Sequence, residues 1–279
     1  MRRKCWKLWR HCSLMLARCL VLGLALALLA PAQSQVKQGE VLRVLAAGAT
    51  AQLLDKTIRL FPQQASPNLG LMPIAVTQAP GIYTVIVRDA HGAKVQDISV
   101  EVLDSHYPRQ NIVASKAMKS LTPLPGEMEA VWALNNTVSE KRMWVEPFLT
   151  PTPECMNSLF GVMRYHNGKP TGNFHRGVDL RSPMGTPVHA ISPGVVRISK
   201  MFRLHGGTIG IDHGQGVAST YLHMSKLAVP ESTVVKAGDV VGYVGATGFA
   251  TGPHLHWGLY VNGVAVNPSQ WIPAVPRCR

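Results

Sequence analysis

Between residues 40 and 103, short apolar runs alternate with polar positions and stop at turn residues. Val41-Leu42-Arg43-Val44-Leu45, Ile58-Arg59-Leu60-Phe61, Ile82-Tyr83-Thr84-Val85-Ile86-Val87 and Ile98-Ser99-Val100-Glu101-Val102 each carry the period of two expected of half-buried strands. Pro80-Gly81 and His91-Gly92 read as turns between them. Strands recurring at such short intervals predict a small Ig-like β-sandwich over residues 33–106. It holds no cluster of chemically active side chains, so it reads as a module for binding, spacing or self-occlusion.

The pattern then changes. Residues 107–154 are rich in proline and read as a connector, with one short helix predicted over Glu127–Ser139 and an extended spacer at Thr150-Pro151-Thr152-Pro153. From Cys155 a glycine-punctuated β pattern resumes and runs to about Trp271. A second, mainly β domain is therefore expected over 155–279. Tandem repeats and low-complexity tracts are absent from the sequence.

Composition narrows the class. A hydrophobic share of 46% with 15% charged residues excludes a disordered chain. A single long apolar run excludes a polytopic membrane protein. That run, Leu20 to Ala30, follows a basic segment with Arg2, Arg3, Lys4, Lys7, Arg10 and Arg18 and precedes Ala30-Pro31-Ala32. Basic, apolar and small residues in this order predict a secretory signal peptide over 1–32, with an uncleaved anchor as the alternative. After cleavage no stable membrane insertion is expected. The protein is then expected to be exported.

Removing this segment changes the charge. Of 28 Lys and Arg against 15 Asp and Glu, six basic residues lie in it, so the mature surplus falls to seven. The remaining basic residues are scattered without an aromatic platform, which argues against a nucleic-acid partner and for work near an anionic polymer or membrane. Only Cys155 and Cys278 remain of five cysteines. In an exported chain they suggest one disulfide, with two free thiols as the alternative.

The candidate chemistry lies in the last third, in His175-Arg176-Gly177-Val178-Asp179, Tyr221-Leu222-His223 and His254-Leu255-His256. Imidazole and carboxylate are the ligands of a catalytic zinc site that keeps one position open. Residues four apart in a straight strand are roughly 13 Å apart, so His175 and Asp179 need a bend, which Gly177 permits. Spacing by two puts His254 and His256 on one face, and His223 on the face of Tyr221. His189 and His213 read as structural, and His166 and His205 as solvated loop residues. Gly245–Gly252 lacks the ending of a phosphate loop and reads as a groove wall.

Together with Gly185-Thr186-Pro187-Val188, Ile211-Asp212-His213-Gly214 and Thr251-Gly252-Pro253-His254-Leu255-His256-Trp257, these segments resemble the lysostaphin/LytM-type zinc metallopeptidases over about residues 158–271. Leu71-Met72-Pro73-Ile74 and Pro80-Gly81-Ile82-Tyr83 resemble, more loosely, the β-sandwich that precedes this domain in some bacterial members. The resemblance implies an antiparallel β catalytic domain with one zinc ion per chain. By position it implies His175, Asp179 and His256 as zinc ligands, and His223 and His254 as catalytic histidines without dividing their roles. It implies a metalloendopeptidase of peptidoglycan crosslinks, with D-Ala–diaminopimelate bonds favoured over glycine bridges. The alternative is a catalytically latent regulator that activates a cell-wall amidase. Peptidoglycan is the expected partner, the periplasm or cell envelope of a bacterium is the implied location, and a monomer is assumed.

Overall fold

The computed structural model describes residues 34–278 apart from 65, 66 and 114, and the described residues form one compact unit. The segment read as a signal peptide lies outside the described residues. The mainly β class expected from the sequence is found. Seven strands come first: β1 (Ser34–Lys37), β2 (Val41–Ala46), β3 (Thr50–Leu53), β4 (Lys56–Arg59), β5 (Asn68–Pro73), β6 (Gly81–Arg88) and β7 (Lys94–Leu103). They form a five-stranded sheet, β1-β7-β6-β3-β4, and a two-stranded sheet, β2-β5. Alternation explains why they close on each other: Val44, Met72, Val85, Val87 and Val100 leave both sheets for one shared core.

The sandwich is also joined to the C-terminal region. Val41, Leu69 and Leu71 belong to the same apolar cluster as Trp257 and Leu259. The Gln270 side chain accepts from Val41 N at 2.8 Å and donates to Val41 O at 3.0 Å, as a neighbouring strand would.

The proline-rich stretch carries β8 (Arg109–Ile112), α1 (Lys116–Lys119) and α2 (Glu127–Asn135). The helix expected to reach Ser139 stops at Asn135. The Asn136 and Thr137 side chains donate to the last carbonyls, of Trp132 and Ala133, and end it there. Thr150–Pro153 is no free spacer either. Pro151 and Thr152 are buried, and Thr152 Oγ1 shares a hydrogen bond with Ser182 Oγ.

The remaining strands are β9 (Met156–Ser158), β10 (Met163–His166), β11 (Lys169–Phe174), β12 (Val178–Leu180), β13 (Pro187–His189), β14 (Gly194–Met201), β15 (Gly207–Gly214), β16 (Val217–Met224), β17 (Lys226–Leu227), β18 (Val234–Val235), β19 (Val240–Tyr243), β20 (Leu255–Val261) and β21 (Val264–Val266). An antiparallel sheet in the order β18-β14-β15-β16-β20-β12-β9, with β21 on β20, is the frame of this region. β15 is buried at every position, because α2 and the loops cover faces that a simple two-layer sheet would leave wet. β13-β19-β17 and β11-β10-β8 form two further small sheets, the second using a strand from the proline-rich stretch. A Cys155–Cys278 disulfide ties the start of β9 to the C-terminal segment, with Cα atoms 5.1 Å apart.

Candidate active site

One row of the large sheet makes the floor of the site. Ser158 on β9 pairs with Asp179 on β12, Asp179 with His256 on β20, and His256 with Leu222 on β16. Directly opposed residues point to the same face, so this register alone brings Asp179 and His256 together. His175, four residues before Asp179, lies in the bend between β11 and β12. Its Nε2 is 2.9 Å from Asp179 Oδ1 and 3.0 Å from His256 Nδ1, and His256 Nδ1 is 3.0 Å from the same Oδ1.

Proton positions are fixed by the partners. A backbone carbonyl only accepts, so a ring nitrogen bonded to one must carry hydrogen. His175 Nδ1 donates to Leu159 O at 2.8 Å, His223 Nδ1 to Thr247 O at 2.9 Å, and His254 Nδ1 to Gly252 O at 2.8 Å. In neutral rings this leaves every Nε2 with a lone pair. His175 Nε2 thus turns its lone pair toward a carboxylate oxygen, an arrangement that repels unless a cation lies between. Two imidazoles and a carboxylate with their donor atoms this close form a nitrogen–oxygen set that suits zinc, with the groove side left for a further ligand.

The electrostatics agree. Burial pushes His256 down to about 4. It pushes His223 down to about 3, with the His254 and His256 rings adding to the shift. Both are neutral at neutral pH, as metal ligation and proton acceptance require.

His223 reaches the groove by a route the alternation rule misses. By strict alternation it would share the inward face of Tyr221, which is buried opposite Trp257. One extra residue on β16 between its pairings with Ile209 and Gly207 makes a bulge, and His223 there adopts φ 64°. The bulge turns the ring away from Tyr221 and toward His254, with ring centroids 4.9 Å apart.

Gly177 also acts otherwise than expected. Its backbone is not in the left-handed region; what it lacks is room. A Cβ there would lie 2.4 Å from Trp257 O and 2.8 Å from His256 Nε2. Gly177→Ala is expected to force β20 away and cost about 1–3 kcal/mol. Chemical denaturation and zinc competition on the same sample check this; both unchanged would mean that β20 yields freely.

The site opens on a groove of ≈ 360 Å³ lined by all five residues together with Gln110, Ile112, Met118, Arg164, Phe249 and Thr251. Several of these carried no sequence signal. Gln110, Ile112 and Met118 come from the proline-rich stretch. The histidines read as solvated are engaged: His166 stacks on Phe249 at 5.5 Å, and His205 Nδ1 bonds Glu127 at 2.6 Å. Glu127, fully buried at the start of α2, also accepts from the backbone N–H groups of Leu124, Arg203, Leu204 and His205. It thereby fixes the 203–205 loop, whose His205 carbonyl accepts from His223 N at 3.1 Å. His213 is structural as expected, bonded to Pro193 O and Ser219 Oγ and pushed down to about 4 by burial. The Gly245–Gly252 stretch is a groove wall through Phe249 and Thr251.

Residues 173–268 match Peptidase family M23. DD-carboxypeptidase/endopeptidase Mpg of Neisseria meningitidis serogroup B is 40% identical over 113 residues, 40% of this chain and 26% of its own length. Peptidoglycan DD-endopeptidase ShyA of Vibrio cholerae is 41% identical over 112 residues, with the same shares. The chain thus spans about a quarter of the length of these curated relatives. A crystal structure of a Pseudomonas aeruginosa protein assigned to peptidase M23 superposes with a TM-score of 0.66 at 25% identity, covering 84% of this chain and 93% of that one. That likeness takes in far more than residues 173–268.

Proposed function

Because residues 173–268 form a domain of peptidase family M23, we propose that the chain is an exported zinc metalloendopeptidase that hydrolyses peptide crosslinks of bacterial peptidoglycan. D-Ala–diaminopimelate bonds are the proposed target, and the mature chain acts as a monomer. The observation that carries the reading is the convergence of His175 Nε2, Asp179 Oδ1 and His256 Nδ1, with the Nε2 lone pairs of His223 and His254 beside them. The names of the relatives supply the substrate class. Among the described residues no helix is long and apolar enough to cross a membrane.

In this reading His175, Asp179 and His256 hold the zinc. Zinc there supplies Lewis acidity, polarising the scissile carbonyl and making water a nucleophile near neutral pH. His223 and His254 both present Nε2 as the proton acceptor, their Nδ1 hydrogens being spent on Thr247 O and Gly252 O. Between them they take the proton that the attacking water releases and pass it to the departing amine as the C–N bond breaks. The products are a carboxylate and an amine. The Thr247 and Gly252 carbonyls hold the two Nδ1 hydrogens, so Nε2 is the nitrogen that takes up and gives back the proton.

Digestion of purified peptidoglycan by residues 33–279, with fragments read by mass, tests this. Crosslinked dimers are expected to disappear, with cleavage stopped by a chelator and restored by zinc. Intact crosslinks despite one bound zinc per chain would sink the endopeptidase and move the weight to an amidase-activating regulator.

A further inference from the structure

The metal ligands are steadied from outside the matched domain. β8 runs parallel to β10 with Gln110 directly opposite Arg164. The Gln110 side-chain oxygen accepts two hydrogen bonds, one from Arg164 Nη1 and one from Ser158 Oγ at 3.0 Å. Each donor continues to a ligand. Arg164 Nη2 lies 3.4 Å from Asp179 Oδ2, the carboxylate oxygen turned away from the histidines. Ser158 Oγ lies 3.3 Å from His175 Nδ1. Two arms therefore leave one amide oxygen and end on two of the three ligands.

We propose that Gln110 is a positioning residue for the metal centre, acting through Ser158 on His175 and through Arg164 on Asp179. The proposal rests on the reading of these ligands as a zinc site. The hydroxyl arm supports the tautomer that Leu159 O fixes. Ser158 has one hydrogen, and giving it to Gln110 leaves only lone pairs toward His175, which favours Nδ1–H there. Without Gln110 that hydrogen is free to turn toward the His175 Nδ1–H and repel it, which loosens the seat of the ring against Leu159 O. The guanidinium arm sets a carboxylate. Arg164 holds Oδ2, so Asp179 offers Oδ1 alone to the centre. Because Gln110 belongs to β8, the proline-rich stretch helps complete a site whose ligands all lie beyond residue 174.

The test uses zinc itself as the probe on residues 33–279, with affinity read by competition against a chromophoric chelator and ligand geometry by the cobalt(II) spectrum. Gln110→Ala is expected to bind zinc about 10–100-fold more weakly and to shift the cobalt bands, as loss of an outer-shell partner does. Gln110→Glu keeps an acceptor oxygen for both donors and is expected to stay within about threefold of the parent. Asn111→Ala, on the same strand with its side chain accepting from Gly168 N, controls for loosening of β8 and is expected to change neither readout. Gln110→Ala matching the parent in both readouts overturns the proposal. So does Gln110→Glu failing as badly as Gln110→Ala. Should Gln110→Ala not fold, Ser158→Ala cuts the hydroxyl arm alone, and parental zinc affinity there would overturn it equally. A parent chain that binds no zinc would instead sink the reading of the site as a metal centre.

Discussion

His254→Ala is expected to lower crosslink cleavage by about 10²–10⁴-fold, the usual contribution of a positioned acid–base group, while one zinc per chain is retained. The separation of the two effects comes from the geometry. His254 Nε2 is 3.9 Å from Asp179 Oδ1, beyond the tight set of donor atoms, and its Nδ1 is spent on Gly252 O. Removing it takes away a proton acceptor and leaves the ligands in place. His223→Ala is expected to match it, and the double variant to lose little more than either single one, because the two rings serve one proton transfer. His256→Ala is expected to lose the metal as well as the activity. Metal content by elemental analysis beside cleavage rates distinguishes these classes. A His254→Ala protein that lost its zinc would show that this ring is a ligand and that the division drawn between the residues is mistaken.

Removing the disulfide is expected to produce the largest loss of stability from a single covalent change. Cys155 and Cys278 are 123 residues apart. On the chain-entropy account, closing a loop of that length restricts the unfolded chain by about 5 kcal/mol, and measured losses run at about 2–5 kcal/mol. The consequence reaches the site, because Cys155 lies three residues before Ser158, at the head of the strand that pairs with Asp179. The C-terminal segment keeps other anchors: Trp271 stacks on Phe148 at 5.0 Å and meets Trp144 edge-on at 5.8 Å. Cys155→Ser with Cys278→Ser is therefore expected to fold, with a urea midpoint well below the parent. An unchanged midpoint would mean that these aromatic contacts hold the C-terminus alone.

Much of the site was legible in the chain because its donors are local and chemically distinctive. His175, Asp179, His223, His254 and His256 fall in three short segments, and the spacing of two in His254-Leu255-His256 survives into the structure as a shared side of the groove. The strands of the first sandwich were legible for a similar reason: burial alternates along β6 and over Ile98–Leu103 of β7, where one face packs on the core. The tail of the predicted helix failed where Asn136 and Thr137 bonded carbonyls that propensity would have carried onward. His223 failed the alternation rule because a bulge depends on the partner strand, and β15 is not written into Tyr221-Leu222-His223.

What the sequence determined by itself is the inventory: a mainly β chain, two cysteines beyond residue 32, and a set of imidazoles and a carboxylate fit for zinc. Tertiary structure alone decided how they meet. The register of β9, β12, β20 and β16 laid Ser158, Asp179, His256 and Leu222 in one row, and the β16 bulge turned His223 to face them. The parallel pairing of β8 with β10 brought Gln110 to Arg164, residues 54 apart in the chain. Glu127 came to His205 across 78. The physical reason is range. Ligand chemistry and strand period are properties of a few neighbouring residues, whereas convergence on a point about 2 Å from three donor atoms depends on which strands lie side by side and on each one-residue slip between them.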